Sequence, residues 1–490
     1  MDIRLSTARG RWVILTTVLG SSMALLDSTV VNVALPRIGD DLHAELSSLQ
    51  WITNAYTVTL AGLILLGGSL GDRYGRRRVF VIGVVWFAFG SLLCGLAPST
   101  GVLIFARALQ GIGGALLTPG SLAIIQAGFH PDDRSRAVGM WSGLGGIGSA
   151  IGPFVGGWLV DGPGWRWVFL INLPLAALCV PVALRHVPET RDPRHHGRFD
   201  MGGALLCAFA LALLAYSLIA QNPWAGALGV AGAVSFVLVE KRRSDPMLPL
   251  SIFSSRLFSM VNIVTLCVYA ALGGFFFLGT LQLQVVAGYS PLAAGTALLP
   301  TTVLLLLFSA RSGQLADRIG PRAPLTVGPL LCAGGLLLML RVGRHASYPT
   351  DVLPALLVLG AGLVTLIAPL TSTVLSSVET ARAGLASGVN NAAARAAGLI
   401  AVAALPFLTG MGPEAYHSAT AFDRSFNKAM PICAGVLIVG AFIAFLTVRR
   451  PAPSGPAPVR AESEHRMSCG LTAPPLEHVT TDTPPERRRT

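Results

Sequence analysis

The chain has 490 residues, 52% hydrophobic and only 12% charged, with 55 glycines and a mean hydropathy of +0.64. A soluble domain carries about 25% charged residues and disorder requires low hydrophobicity, so the body of the chain is neither. The net charge of +12 sits on scattered loops with no groove-binding stripe, which argues against nucleic acid, and seven cysteines, six of them in apolar runs, do not make a secreted disulfide scaffold.

The composition is that of a polytopic membrane protein. A helix crossing the hydrocarbon core needs about 20 mostly apolar residues. Fourteen such stretches are predicted, at 12–35, 49–70, 79–97, 101–128, 137–160, 166–185, 200–220, 222–239, 257–282, 292–310, 324–341, 351–370, 384–408 and 430–448. The start to Arg11 shows no cleavage-site pattern, so the first span is expected to be retained. With the N-terminus cytoplasmic, inside segments hold 28 basic residues and outside loops 6, with Arg107 and Arg395 within spans. Positive charge concentrates on the cytoplasmic side of bilayers, so both termini are expected inside. Residues 449–490, with eight prolines among Ser, Thr, Glu and Arg, read as a disordered cytoplasmic tail. The polar outer segment Gly410–Lys428 reads as a mobile loop or a lid.

Asp27 lies in the first span, within Leu26-Asp27-Ser-Thr-Val-Val-Asn-Val-Ala-Leu-Pro36. A carboxylate there costs about 2.5–3.5 kcal/mol on insertion scales, and suits a proton relay or a counter-ion for a cation. Arg107, in the fourth span, shares a helix face with Gln110, Gly111 and Gly114. A buried guanidinium stays charged and needs a partner. Asp27 is the only acid well inside a span, and is therefore its expected partner.

After the second span the chain reads Gly68-Ser-Leu-Gly-Asp72-Arg73-Tyr-Gly75-Arg76-Arg77-Arg78; after the tenth it reads Gly313-Gln-Leu-Ala-Asp317-Arg318-Ile-Gly320-Pro321-Arg322. The offset is 245 residues, so a large unit is duplicated. Eight spans lie between the copies, which six-span units accommodate with a two-span insert. The expected domains are an N-terminal segment 1–11, a six-helix bundle 12–185, cytoplasmic loops with a two-helix insert 186–256, a second six-helix bundle 257–448, and the tail. Parallel repeats of this kind place a substrate site between their halves. A positive-inside anchor explains the arginines of the loop but not its Asp, its glycines or its second copy; an Asp–Arg pair that breaks and reforms is a conformational latch. In the fifth span Gly148, Gly152 and Gly156 fall every fourth residue beside Pro153 and Gly157, giving a kinked helix with a smooth face, fit either for sliding or for ordinary close packing.

No GxxxxGK[ST] phosphate loop, HExxH, CxxC or GxSxG is present, so the motifs of nucleotide hydrolysis, metal binding and acyl transfer are missing and an enzyme is not expected.

These motifs resemble the major facilitator superfamily, in particular its fourteen-span drug:proton antiporter branch. Residues 68–80 are similar to its loop signature and 313–322 to the second-half echo, which departs mildly at Pro321. Residues 103–115 and 148–157 are similar to the fourth- and fifth-span signatures of antiporters, and Leu26–Pro36 and Trp165–Pro174 to motifs of this branch. The resemblance spans roughly residues 10–448. It implies an all-α major facilitator fold, two six-helix bundles rocking about a central cavity, with two inserted spans. It implies export of small hydrophobic molecules against entering protons, with Asp27 and Arg107 in proton coupling, Asp72, Arg73 and Arg76 in the latch, and the 148–157 glycines in antiport. With no further acid in the spans, a dicationic substrate is not expected.

The reading is a proton-coupled drug or antibiotic exporter of the bacterial plasma membrane, with protons as coupling ion and no other cofactor or metal. Its partners are the lipid bilayer and a small-molecule substrate, and it is expected to be monomeric. Candidate substrate contacts, on spans 1, 2, 4, 5, 9 and 13, are Asn32, Asn54, Tyr56, Gln126, Asn262 and Asn390. The alternatives are a proton symporter importing a metabolite and a non-transporting receptor on the same fold.

Overall fold

The computed structural model describes residues 3–191, 200–243, 246–379, 382–412 and 418–448, without side chains at 135, 142, 143, 146, 147, 149, 150, 310, 317 and 383. The tail 449–490 lies outside the described residues, as do 413–417 of the outer segment.

Fourteen helical spans run through the described chain. Span 1 is Ala8–Leu42, span 2 Leu46–Tyr74, span 3 Arg76–Gly95, span 4 Thr100–Gly128 and span 5 Pro131–Asp161. Span 6 is Trp167–Leu170 continued by Asn172–His186. Met201–Ile219 and Pro223–Arg242 form spans 7 and 8. Span 9 is Arg256–Leu281 with a wide turn Gln282–Val286, and span 10 is Pro291–Ala297 with Leu299–Ile319. Arg322–Leu338, Leu353–Ser376, Ala383–Thr409 and Ala419–Thr447 complete the set as spans 11 to 14. Thirteen are long and apolar enough to cross a membrane. Span 5, where seven side chains lie outside the described residues, has 31 residues and reaches about 46 Å at 1.5 Å per residue, long enough to cross.

The ends of these helices are written locally. Thr7, Ser99, Asp200, Asn222, Ser255 and Ser290 accept backbone N–H groups in the first turns they precede. Pro131, Pro223 and Pro291 occupy first-turn positions, where a missing N–H loses no helical bond. Span 1 runs past the expected end at residue 35: Pro36 sits inside the helix, and Arg37 with Asp41, 3.8 Å apart one turn on, carries it into water. Spans 7 and 8 are joined by only Ala220–Asn222, with Gln221 in the left-handed region at φ 52°.

The packing repeats as the duplicated loop requires. Span 1 lies on span 5, span 2 on span 4, and span 3 on spans 4 and 6; eight spans later, span 9 lies on span 13, span 10 on span 12, and span 11 on spans 12 and 14. Outward residues are apolar: Ile82, Val85, Trp86 and Phe89 line one exposed face of span 3, and Ile438, Val439 and Phe442 one of span 14. Such contiguous apolar exposure belongs against lipid. Six cysteines are free thiols.

One end of the bundle carries the Asp72 loop; the opposite end carries Leu42, Asp161 and Thr409. At that opposite end the two halves are bonded together. Gln50 Nε2 of span 2 donates to the Val402 carbonyl of span 13 at 2.7 Å, Gln284 Nε2 to the Val33 carbonyl of span 1 at 3.0 Å, and the Leu292 N–H to Asp161 Oδ2 at 3.0 Å. The inserted hairpin covers the seam between spans 2 and 13. Ala208 of span 7 lies against Gly62, and Ala215 is buried with Val58, Leu399 and Ala403. Asp200, paired with Arg243, and Glu240, which accepts the Leu248 N–H at 2.8 Å, fasten the base of the hairpin.

Candidate functional site

Span 1 contributes Asp27, and span 4 contributes Arg107 and Gln110; none has more than 1% of its surface exposed. Arg107 Nη1 donates to Asp27 Oδ2 at 2.5 Å and to Gln110 Oε1 at 2.7 Å, while its Nε donates to the Ile52 carbonyl at 3.0 Å. Gln110 Nε2 donates to the other carboxylate oxygen at 2.7 Å and to Ser91 Oγ at 2.8 Å. Asn172 Nδ2 donates to the same hydroxyl at 3.2 Å. The Tyr56 ring lies under the guanidinium, 4.4 Å from its centre. Gln110 therefore bridges acid and base, and five spans converge on one ion pair. In hydrocarbon such a pair is tolerable only with its remaining donors and acceptors satisfied, which this network supplies.

The glycines of span 4 make this convergence possible. A Cβ at Gly111 would strike the Tyr56 carbonyl, and one at Gly90 of span 3 would lie 2.7 Å from the Gln110 Cα. Spans 2, 3 and 4 approach closely because no side chains stand between their backbones.

In the Asp72 loop, Arg76 holds Asp72 through both Nε and Nη2, each 2.8 Å from Oδ1. Gly75 turns the chain between spans 2 and 3 at φ 115°, a conformation L side chains rarely adopt. A Cβ there would also lie 2.5 Å from Glu189 Oε1. Glu189, which follows span 6, accepts the Arg77 N–H at 3.1 Å and lies 3.6 Å from its guanidinium. Arg73 stacks over Tyr74 at 5.7 Å, and Gly68 faces Pro119 of span 4. In the second copy Gly320 repeats the turn at φ 86°. The 245-residue offset sets Pro321 opposite Arg76, so this copy lacks the arginine that grips the carboxylate in the first. The Asp317 side chain lies outside the described residues; Arg318 is exposed in the last turn of span 10.

The glycines of span 5 lie against both halves. A Cβ at Gly148 would approach Ser22 Oγ to 2.7 Å, one at Gly152 would strike Thr29 Oγ1, and one at Gly156 would come within 2.9 Å of Val30, so this face packs on span 1. On the other side a Cβ at Gly157 would lie 2.5 Å from the Leu292 Cα, and the Pro153 carbonyl lies where a Cβ of Gly295 would stand.

The six polar candidates do not gather into one cluster. Asn390 Nδ2 donates to Asn262 Oδ1 at 3.1 Å and to Thr265 Oγ1 at 2.8 Å, tying span 13 to span 9. Tyr56 is committed to Arg107, with its hydroxyl buried and unbonded. Asn54 is fully buried with both amide atoms unpartnered, and Asn32 is half-buried. Gln126 is exposed near the Asp72 end of span 4. Sequence reasoning missed Ser91, Asn172 and Glu189. Asn172 stood inside a motif already singled out, whereas nothing local distinguishes Ser91 or Glu189.

Comparison with known proteins gives a consistent picture. The family model of the Major Facilitator Superfamily matches residues 17–402. The multidrug resistance protein Stp of Mycobacterium tuberculosis is 37% identical over 430 residues, 85% of this chain and 78% of Stp. The tetracenomycin C resistance and export protein of Streptomyces glaucescens is 36% identical over 415 residues, 82% of this chain and 77% of that protein. The puromycin resistance protein pur8 of Streptomyces alboniger is 35% identical over 463 residues, 89% and 91% of the two chains. Among solved structures, a bacterial homolog of the human lysosomal transporter Spinster, inward-facing and unoccupied, superposes with a TM-score of 0.64 at 18% identity, covering 92% of this chain and all of that one. That likeness shows the fold.

Proposed function

The chain belongs to the Major Facilitator Superfamily, and we propose that it exports small hydrophobic drugs or antibiotics across the bacterial plasma membrane in exchange for protons. It is a multi-pass membrane transporter and not an enzyme. Relatives named for multidrug, tetracenomycin C and puromycin resistance support the substrate class. The observation that carries proton coupling is the buried Asp27–Arg107 pair with its Gln110 bridge. A proton reaching Asp27 dissolves the ion pair and leaves Arg107 held by Gln110, the Ile52 carbonyl and the Tyr56 ring. Span 1 then loses its charge tie to span 4, while its other face rests on the glycines of span 5. Proton entry thereby biases the contact along which the halves rock, and substrate is released outward. Asp72 with Arg76 acts as the latch at the inner face, both termini lie in the cytoplasm, and the protein works as a monomer.

The test is transport in inverted membrane vesicles with an imposed proton gradient and a panel of lipophilic dyes and antibiotics. Wild type should accumulate substrate, and a protonophore or Asp27→Asn should abolish accumulation. Accumulation that survives both would refute the coupling.

A further inference from the structure

Arg107 and Arg395 fall within the stretches expected to cross the bilayer, and of these two only Arg107 has a counter-charge among the described residues. Arg107 is spent on Asp27, whereas Arg395 of span 13, half-buried, has no carboxylate in ion-pair range and no hydrogen-bond partner among the described residues. An unpaired guanidinium at this depth is costly, stays charged, and is retained where it meets something.

The register of span 13 tells what Arg395 faces. Gly388 packs on Leu65 of span 2, and the Val402 carbonyl accepts from Gln50 of span 2. Arg395 is seven residues from each, so it projects from the face of span 13 that meets span 2. One turn further on, Gly398 lies against the Tyr269 carbonyl of span 9. On the facing side of span 2, Asn54 sits one turn from both Gln50 and Val58, which contact span 13. The Asn54 amide and the Tyr56 hydroxyl are buried without partners, on residues no more than 2% exposed.

We propose that Arg395, with the Asn54 amide, forms a substrate subsite for an anionic group, a carboxylate or an acidic phenol or enol on an aromatic body. This rests on the export reading and names its substrate class. Both side chains offer hydrogen-bond donors, and a guanidinium paired with a carboxylate is among the strongest contacts available. Asp27, the acid that would attract a cation, is already held by Arg107 and Gln110. Arg395 is thus left at the contact of spans 2 and 13 with no counter-charge among the described residues, and an anion completes it.

Binding is measured by equilibrium dialysis on the full-length protein in nanodiscs of zwitterionic lipid. The probes are a hydroxynaphthoquinone ionised at neutral pH, its uncharged methyl ether, and the lipophilic cation tetraphenylphosphonium. Wild type should bind the anion at least tenfold more tightly than the ether and the cation weakest. Arg395→Gln should remove that preference while keeping ether binding, which reports an intact fold, and Arg395→Lys should restore part of it. Equal binding of anion and ether, preference for the cation, binding of none of the three, or an unchanged preference in Arg395→Gln would each overturn the proposal. So would loss of the anion preference on adding phosphatidylglycerol, which would assign the site to a lipid phosphate. Vesicle transport separates the two readings. Export of the cation without anion selectivity leaves efflux standing and removes this subsite; anion selectivity without transport of any probe does the reverse.

Discussion

The buried pair makes a quantitative prediction through the variants Asp27→Asn, Arg107→Gln and their combination. In the native protein each carboxylate oxygen has a donor, Arg107 Nη1 at 2.5 Å and Gln110 Nε2 at 2.7 Å. Asp27→Asn leaves one oxygen for two donors and strands the guanidinium charge. Arg107→Gln strands the carboxylate, with Gln110 as its remaining donor. Breaking a buried pair from one side costs about 3–5 kcal/mol, whereas replacing both charges by neutral groups is commonly neutral or stabilising by about 1–4 kcal/mol. Each single variant should therefore lose about 3–5 kcal/mol and the double variant far less than their sum, a coupling of several kcal/mol. The assay is reversible unfolding in mixed micelles on titrating sodium dodecyl sulfate, followed by circular dichroism, for all four proteins. Losses that simply add in the double variant would mean the two side chains act independently. Vesicle transport gives the complementary reading: the double variant should recover stability and not export, because the protonatable group is gone.

Three other perturbations test the surrounding geometry. Gly75→Ala forces a side chain to φ 115° beside the Glu189 carboxylate and should cost about 1–3 kcal/mol in the same unfolding assay; an unchanged midpoint would contradict the turn described for this loop. Gly152→Val puts a branched side chain against Thr29 where spans 1 and 5 meet, and should abolish transport with a loss of about 1–3 kcal/mol; normal export would show that this contact need not be close. Gln50→Leu removes the 2.7 Å bond to the Val402 carbonyl and should loosen the end opposite Asp72. Spin labels at Leu42 and Thr409 should then report a larger population at long distance, and an unchanged distribution would mean the other contacts there suffice.

Much of this architecture was legible in the sequence because lipid is an unforgiving solvent. Every span had to be an apolar run, and any charge within one had to have a reason, so Asp27 and Arg107 stood out before their 2.5 Å contact was seen. The repeated loop was legible because its glycine turn admits few other residues, and Gly75 and Gly320 both adopt positive φ. Span 5 was legible despite its glycines, whose spacing already marked a face for close packing, although not which helices it would pack against. What could not be read was assembly across distance. Ser91 is one serine among many until Gln110 and Asn172 both donate to it. Glu189 sits more than a hundred residues from the arginines it serves. The place of the inserted hairpin, across the seam of spans 2 and 13, is fixed by small residues such as Gly62 and Ala208, which carry no pattern of their own.

Arg107 and Arg395 stand in contrasting surroundings in the two halves. In the first half acid and base neutralise each other with both carboxylate oxygens accepting hydrogen bonds, so adding one proton changes the charge of the site. In the second half neutral groups, Asn390 on Asn262 and Thr265, tie span 13 to span 9, and Arg395 beside them has no counter-charge among the described residues. Tyr56 belongs to the first of these settings, its ring under Arg107 and against Phe87. Tyr56→Phe should therefore keep the Arg107 contact and the unfolding midpoint, whereas Tyr56→Leu removes the ring from under the guanidinium and should lower the midpoint. Equal midpoints for the two variants would show that the ring does not support the pair.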